Sequence, residues 1–239
     1  MTECPTLTQF DAGEECGAQA GLFALLGRCL EAEIDERLLT ALRGELREPL
    51  AEAGVDSACL DGDIDRVLGD AAVEFAALFV VPGAASPYAS TFQTGALFQE
   101  PADRVARWYA DNGFAFRNAH SGEFPDHVGT MLAFVGKLYE VEATALAESR
   151  VEAAREVRER RGRFVVEELG SWAPGWCRVA AAVAEHPFYR QVLALTERVL
   201  WEELSNLVSA RRLRELSAAN ARGPARMPLN PDYRKASGL

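Results

Sequence analysis

The stretch "SGEFPDHVGTMLAFVGKLYE", residues 121 to 140, sets Glu123, Asp126 and His127 at the mouth of an apolar run, with His120 just before it. Three kinds of chemistry could use these residue types. Nucleophilic catalysis needs a Ser or Cys activated by a histidine, but Ser121 precedes His127 with no elbow motif around it. A metal could take donors from His120, Glu123 and His127, but Gly122 and Pro125 place the first two on a loop, so helical spacing does not align them. The chain has only 3 histidines, too few for the ligand set of a metal-dependent phosphohydrolase. A structural role asks least. Asp126 in a first helical turn would complement free N–H groups and the helix dipole, and His127 falls on the stripe continued by Met131, Phe134 and Leu138. With no aligned ligand set, the sequence predicts no bound metal and no tightly held cofactor.

Composition bounds what must position these residues. A chain of 239 residues, 49% hydrophobic, can bury a full core. No run of about 18 uncharged apolar residues occurs, so no integral membrane segment is expected. The start "MTECPTLTQFDAGEEC" is acidic and unlike a signal peptide, which predicts a cytoplasmic protein. Cys4, Cys16, Cys29, Cys59 and Cys177 are odd in number, scattered and free of any C-x-x-C pair, the pattern of reduced thiols. A net charge of −11 argues against nucleic acid as a partner. From Arg211 to Lys235 there are seven Arg or Lys against two acids, a local +5 that leaves −16 for the rest, and an acidic body suits a cationic partner.

Helical periodicity dominates and strand alternation is almost absent, so the expected fold is all-α, a single domain of about ten helices over residues 1–218. Leu22, Leu25, Leu26, Cys29 and Leu30 share one face of a first helix. Prolines at 101, 125, 174 and 187 mark helix starts. Residues 143–169 read as one long charged helix, and 187–216 as another. "VPGAASPYASTFQTG", residues 81–95, reads as the one long irregular connection and hence a functional surface. His186 reads as a cap at a helix entry, and Trp172, Trp176, Phe188 and Tyr189 as packing between C-terminal helices. Residues 219–239 lack apolar periodicity and are expected to form a flexible basic tail, dispensable for folding. Glycine-rich phosphate loops and the H-E-x-x-H motif are missing.

The run Glu123-Phe-Pro-Asp126-His127 ahead of an apolar helix resembles the E-P-x-D-H signature of the TorD/DmsD family of molybdoenzyme assembly chaperones, with Phe124 intervening between the glutamate and the proline. The resemblance extends in order through "FAALFVVPGAASPYASTF", "RVARWYADNGF" and "GSWAPGWCRVAAAVAEHPFYRQVLALTERVL", and covers roughly residues 20 to 208. It implies binding without turnover. The implied client is the immature catalytic subunit of a molybdopterin oxidoreductase, held through its twin-arginine signal peptide until cofactor insertion is complete. Two guanidinium groups followed by an apolar stretch call for carboxylates beside an apolar groove. Glu123 and Asp126 can supply the first, Phe75, Leu78, Phe79 and Tyr88 the second, and His127 would orient a carboxylate or donate to peptide backbone. Ser90 lies in the same connection. A chaperone for the mature apo-subunit of a molybdoenzyme without such a leader is the alternative, and a metal-dependent hydrolase the third. Monomer and dimer both remain open.

Overall fold

The computed structural model describes residues 9–80, 85–117 and 124–225. Among them the regular structure is helical: α1 (Gln9–Glu31), α2 (Glu36–Arg43), α3 (Arg47–Glu52), α4 (Ile64–Phe75), α5 (Ala89–Thr94), α6 (Glu100–Asp111), α7 (Val128–Ala147), α8 (Val151–Phe164), α9 (Ala173–Val183), α10 (Pro187–Leu207) and α11 (Ala210–Ala221). π-helical stretches at Ala76–Val80 and Val165–Leu169 prolong α4 and α8. The all-helical domain expected from the sequence is what the chain forms, and no described helix is long and apolar enough to cross a membrane.

Helix α7 is the central element, with Val128, Met131, Leu132, Val135 and Leu138 all buried. It lies against α1 at backbone contact. A Cβ added at Gly129 would sit 2.8 Å from Glu31 N and from Gly27 O, and one at Gly27 would sit 2.8 Å from Gly129 O. Only glycine lets the two backbones approach this closely. The N-terminal end of α7, where the candidate site begins, is thereby fixed to α1.

The long helix expected over residues 143–169 is instead a hairpin. Ser149 takes φ +58, Ser149 N–H donates to Leu146 O (3.0 Å) and Arg150 N–H to Ala145 O (2.8 Å), a paired helix-ending motif that turns α7 back into α8. The return places Arg158 and Arg161 on Glu142, and this buried pairing outweighs the local helix preference of the intervening residues. The expected single helix over 187–216 likewise divides, with Ser209 capping α11.

His186 caps α10 through Nδ1, and Trp172, Trp176, Phe188 and Tyr189 are fully buried between the C-terminal helices, both as expected. The boundary expected after residue 218 falls inside α11. Asn220 is fully buried, accepts from Gly175 N–H (2.7 Å) and donates to Gly170 O and Leu216 O (2.8 Å each), so α11 is held to the body beyond residue 218. Residues 226–239 lie outside the described structure.

Candidate functional site

Helices α5 and α7 begin side by side because the residues before them pair. Tyr88 and His127 form an isolated antiparallel bridge, in which Ala89 N–H donates to Asp126 O (3.0 Å) and Val128 N–H to Pro87 O (2.8 Å). Each helix start then receives an acceptor. The N–H of Ser90 is taken by Asp126 Oδ2 at 2.8 Å, across 36 positions of sequence, and that of Gly129 by His127 Nδ1 at 3.1 Å. Helix α7 therefore starts at Val128, with His127 extended as its cap, later than Pro125 had implied. Likewise the connection at 81–95 contains a helix, α5, because Asp126 satisfies its first turn from a distance. The Tyr109 hydroxyl donates to Pro125 O (2.8 Å) and braces the approach to the bridge.

The electrostatics of this corner follow from burial. Desolvation pushes His127 down to about 3, and with Nδ1 accepting from Gly129 the neutral ring carries its proton on Nε2. Asp126 has no exposure; one of its oxygens holds Ser90, while Oδ1 has no hydrogen-bond partner among the described residues. Ser90 Oγ and Thr91 Oγ1 nearby are also buried with no partner among the described residues. Unsatisfied polar atoms of this kind are unusual in a packed interior, and here they cluster along α5 and the bridge.

Outside this polar floor lies an aromatic surface. Phe98 is 72% exposed and adopts φ +57, a conformation L side chains seldom take. Its ring centroid is 4.0 Å from that of Phe124, which stands 5.5 Å from Tyr88, which in turn stands 5.2 Å from His127. Leu97 extends the apolar patch. Holding a large apolar side chain outward in a strained backbone costs free energy on both counts, the pattern of a contact surface.

The structure brings together four of the residues singled out in the sequence, Tyr88, Ser90, Asp126 and His127. As placed, Ser90, Asp126 and His127 are buried and form the floor, while Tyr88 is half-buried at the surface. Phe75, Leu78 and Phe79 do not line it: they are core, with Phe79 packed among Phe75, Trp176 and Tyr189. Their i, i+3, i+4 spacing marks a buried stripe. Glu123 lies outside the described residues, as does His120. Among the described residues no three His, Cys, Asp or Glu side chains gather as metal ligands. Leu97 and Phe98 were not singled out in the sequence, because two apolar residues in a short connection have no period that assigns them a face, and Phe124 stood there only as an insertion in the signature.

A second concavity of about 520 Å³ opens where α1, α7, α8 and α10 meet. Its buried charges pair with one another. Glu142, without exposure, accepts from Arg158 Nε (2.6 Å) and Arg161 Nη2 (3.2 Å); Arg161 also pairs with Glu203 and lies 3.6 Å over the Tyr139 ring. The Tyr139 hydroxyl donates to Glu203 (2.8 Å). Burial and Glu142 push the Cys16 thiol in its wall up to about 11, so it stays protonated and a poor nucleophile.

Comparison with known proteins bears on the same stretch of chain. The family described as nitrate reductase delta subunit matches residues 35–178, which include the bridge and both helix starts. Two relatives, each called chaperone protein TorD, come from Vibrio vulnificus strains YJ016 and CMCP6. Each is 30% identical over 174 residues, covering 68% of this chain and 76% of its own.

Proposed function

The chain belongs to the nitrate reductase delta subunit family, the family of the TorD chaperones, and from this premise we propose that its aromatic surface at Tyr88, Phe98 and Phe124 binds the client. It is a maturation chaperone for redox enzymes and not an enzyme itself. The client is the catalytic subunit of a molybdopterin oxidoreductase, held in the cytoplasm by its twin-arginine signal peptide while cofactor is inserted. The observation that carries this reading is Phe98, exposed in a strained conformation directly above the paired helix starts. An apolar peptide stretch laid on Phe98, Phe124 and Tyr88 would remove their rings from water, worth about 2 kcal/mol for a fully buried phenylalanine. Glu123, next to Phe124 in sequence, offers a carboxylate for one guanidinium of such a segment. Asp126 and His127 act beneath the surface as positioning residues, since neither reaches solvent. That burial also favours a second reading. With Asp126 enclosed, selectivity for paired arginines rests on fewer charges, as suits a client segment from a mature apo-subunit without a leader.

Calorimetry with a synthetic peptide of two arginines followed by an apolar stretch tests this. Phe98→Ala is expected to weaken binding about tenfold at low and high salt alike, and Glu123→Gln a few-fold at low salt only. Unchanged affinity in both variants sinks the site. Equal binding of a peptide with glutamines for the arginines moves the function to the leaderless client.

A further inference from the structure

The described chain ends on α5, the helix that starts at the candidate site. Ala225 N–H donates to Phe92 O at 2.7 Å, fastening the end of the C-terminal segment to α5, the helix whose first turn is held by Asp126. Helix α5 has six residues and is about 9 Å long, so the bond at Phe92 roots the segment within one short helix of Tyr88. Beyond this root the sequence continues as "RMPLNPDYRKASGL", residues 226–239. It contains Arg226, Arg234 and Lys235 against the single acid Asp232, with Met227, Leu229 and Tyr233 interspersed. Fully extended it can span about 45 Å, several times what the surface requires.

We infer that residues 226–239 occupy the aromatic surface of their own chain and must be displaced by the client. This rests on the surface proposed above and adds an occupant for it. Three features agree on that occupant. The segment starts beside the surface. It carries both basic and apolar side chains, the same chemistry that a body of acidic net charge and an exposed aromatic patch would select in a client. Pro228 and Pro231 disfavour helix in this sequence and suit an extended course, the form in which side chains can lie along a row of rings. Occupation by a weakly binding tethered segment would cover Phe98 in the absence of client and filter out segments too weak to compete. A tether of this length supplies an effective concentration of about 1 mM, so a segment that binds in trans with a Kd of about 0.1 mM lowers client affinity about tenfold.

The test uses the full chain, a chain ending at Ala225, which keeps Asn220 and the Phe92 contact, and a fluorescent peptide of residues 226–239. The labelled peptide is expected to bind the shortened chain and to bind the full chain at least fivefold more weakly. Phe98→Ala in the shortened chain should weaken it about tenfold, and this exposed position puts little of the fold at risk. Equal binding to both chains, or binding indifferent to Phe98→Ala, overturns the inference. A second arm adds the unlabelled arginine-pair peptide. If it binds both chains equally, at a site sensitive to Phe98→Ala, the tail inference falls while the client surface stands. If the labelled tail binds through Phe98 and the arginine-pair peptide fails to displace it, the tail inference holds and the client reading falls.

Discussion

Asp126 and Glu142 are both carboxylates without exposure, one just ahead of α7 and one near its far end, and they are treated in opposite ways. Glu142 is saturated by two guanidinium groups, and the network continues to Glu203 and Tyr139. Asp126 holds one backbone N–H and, among the described residues, leaves an oxygen unpaired, with Ser90 Oγ and Thr91 Oγ1 also unpaired nearby. The first region spends its charge on the fold. The second keeps polar capacity in reserve beneath an exposed aromatic patch. Completeness of pairing thus separates a structural carboxylate from one in the candidate binding corner, where burial alone would have grouped them.

The sharpest way to break this contrast is Glu142→Gln, which leaves Arg161 buried beside a neutral amide. A loss of about 3–5 kcal/mol in urea unfolding is expected, with peptide binding by the folded fraction unchanged. A loss below about 1 kcal/mol would mean the network is as dispensable as a surface pair.

Acid probes the other end of α7. His127 has its folded value lowered to about 3 against an unfolded value near 6.5, so its contribution is fully present above about pH 6.5 and is lost as pH falls towards 3. At pH 5 that loss is about 2 kcal/mol, and it should be missing from His127→Asn, whose side chain can still cap Gly129 N–H without titrating. Identical pH profiles of unfolding free energy for the two proteins would show that the imidazole is not held neutral.

Asp126→Asn should cost about 1 kcal/mol or less, since the amide oxygen can keep Ser90 N–H and the unpaired acceptor is replaced by a donor. A loss as large as that of Glu142→Gln would erase the distinction between the two carboxylates. Smallest in stability is Phe98→Ala, expected within about 0.5 kcal/mol of the wild type because the ring faces solvent, although the same change should weaken peptide capture. A melting temperature that falls by many degrees would make Phe98 a packing residue.

The helices were legible because their signals are local. Pro101, Pro174 and Pro187 each stand in the first turn of a helix, and the apolar periods of α7 and α10 match their buried faces, while on α1 Leu26, Cys29 and Leu30 are buried and Leu22 and Leu25 half-buried at the edge of the stripe. Signals that depend on distant partners were not legible. Helix α5 exists because Asp126 reaches its second N–H from 36 positions away, and the turn at Ser149 pays off only when Glu142 meets Arg158 and Arg161. At the site, Asp126 and His127 stand out by residue type, yet their work as caps at a bridge follows from a pairing with residues 87–90 that no spacing encodes. Phe98 is the clearest omission. Its exposure is decided by one backbone angle, and the composition of "GALFQEP" is compatible with burial.

The glycine contact between α1 and α7 has a mechanical consequence. Two bodies loaded in series deform at the more compliant one, and at the Tyr88–His127 bridge the α7 side has no slack, since Gly129 already lies against Glu31 and Gly27. The α5 side is a six-residue helix secured by few bonds. Any displacement imposed at the bridge by an arriving segment must therefore be absorbed by α5, and amide exchange in α5 should accelerate while that of α7 stays constant. Because Ala225 is bonded to Phe92, the same movement pulls on the root of the C-terminal segment, so yielding at one small helix is transmitted directly to the last described residue of the chain.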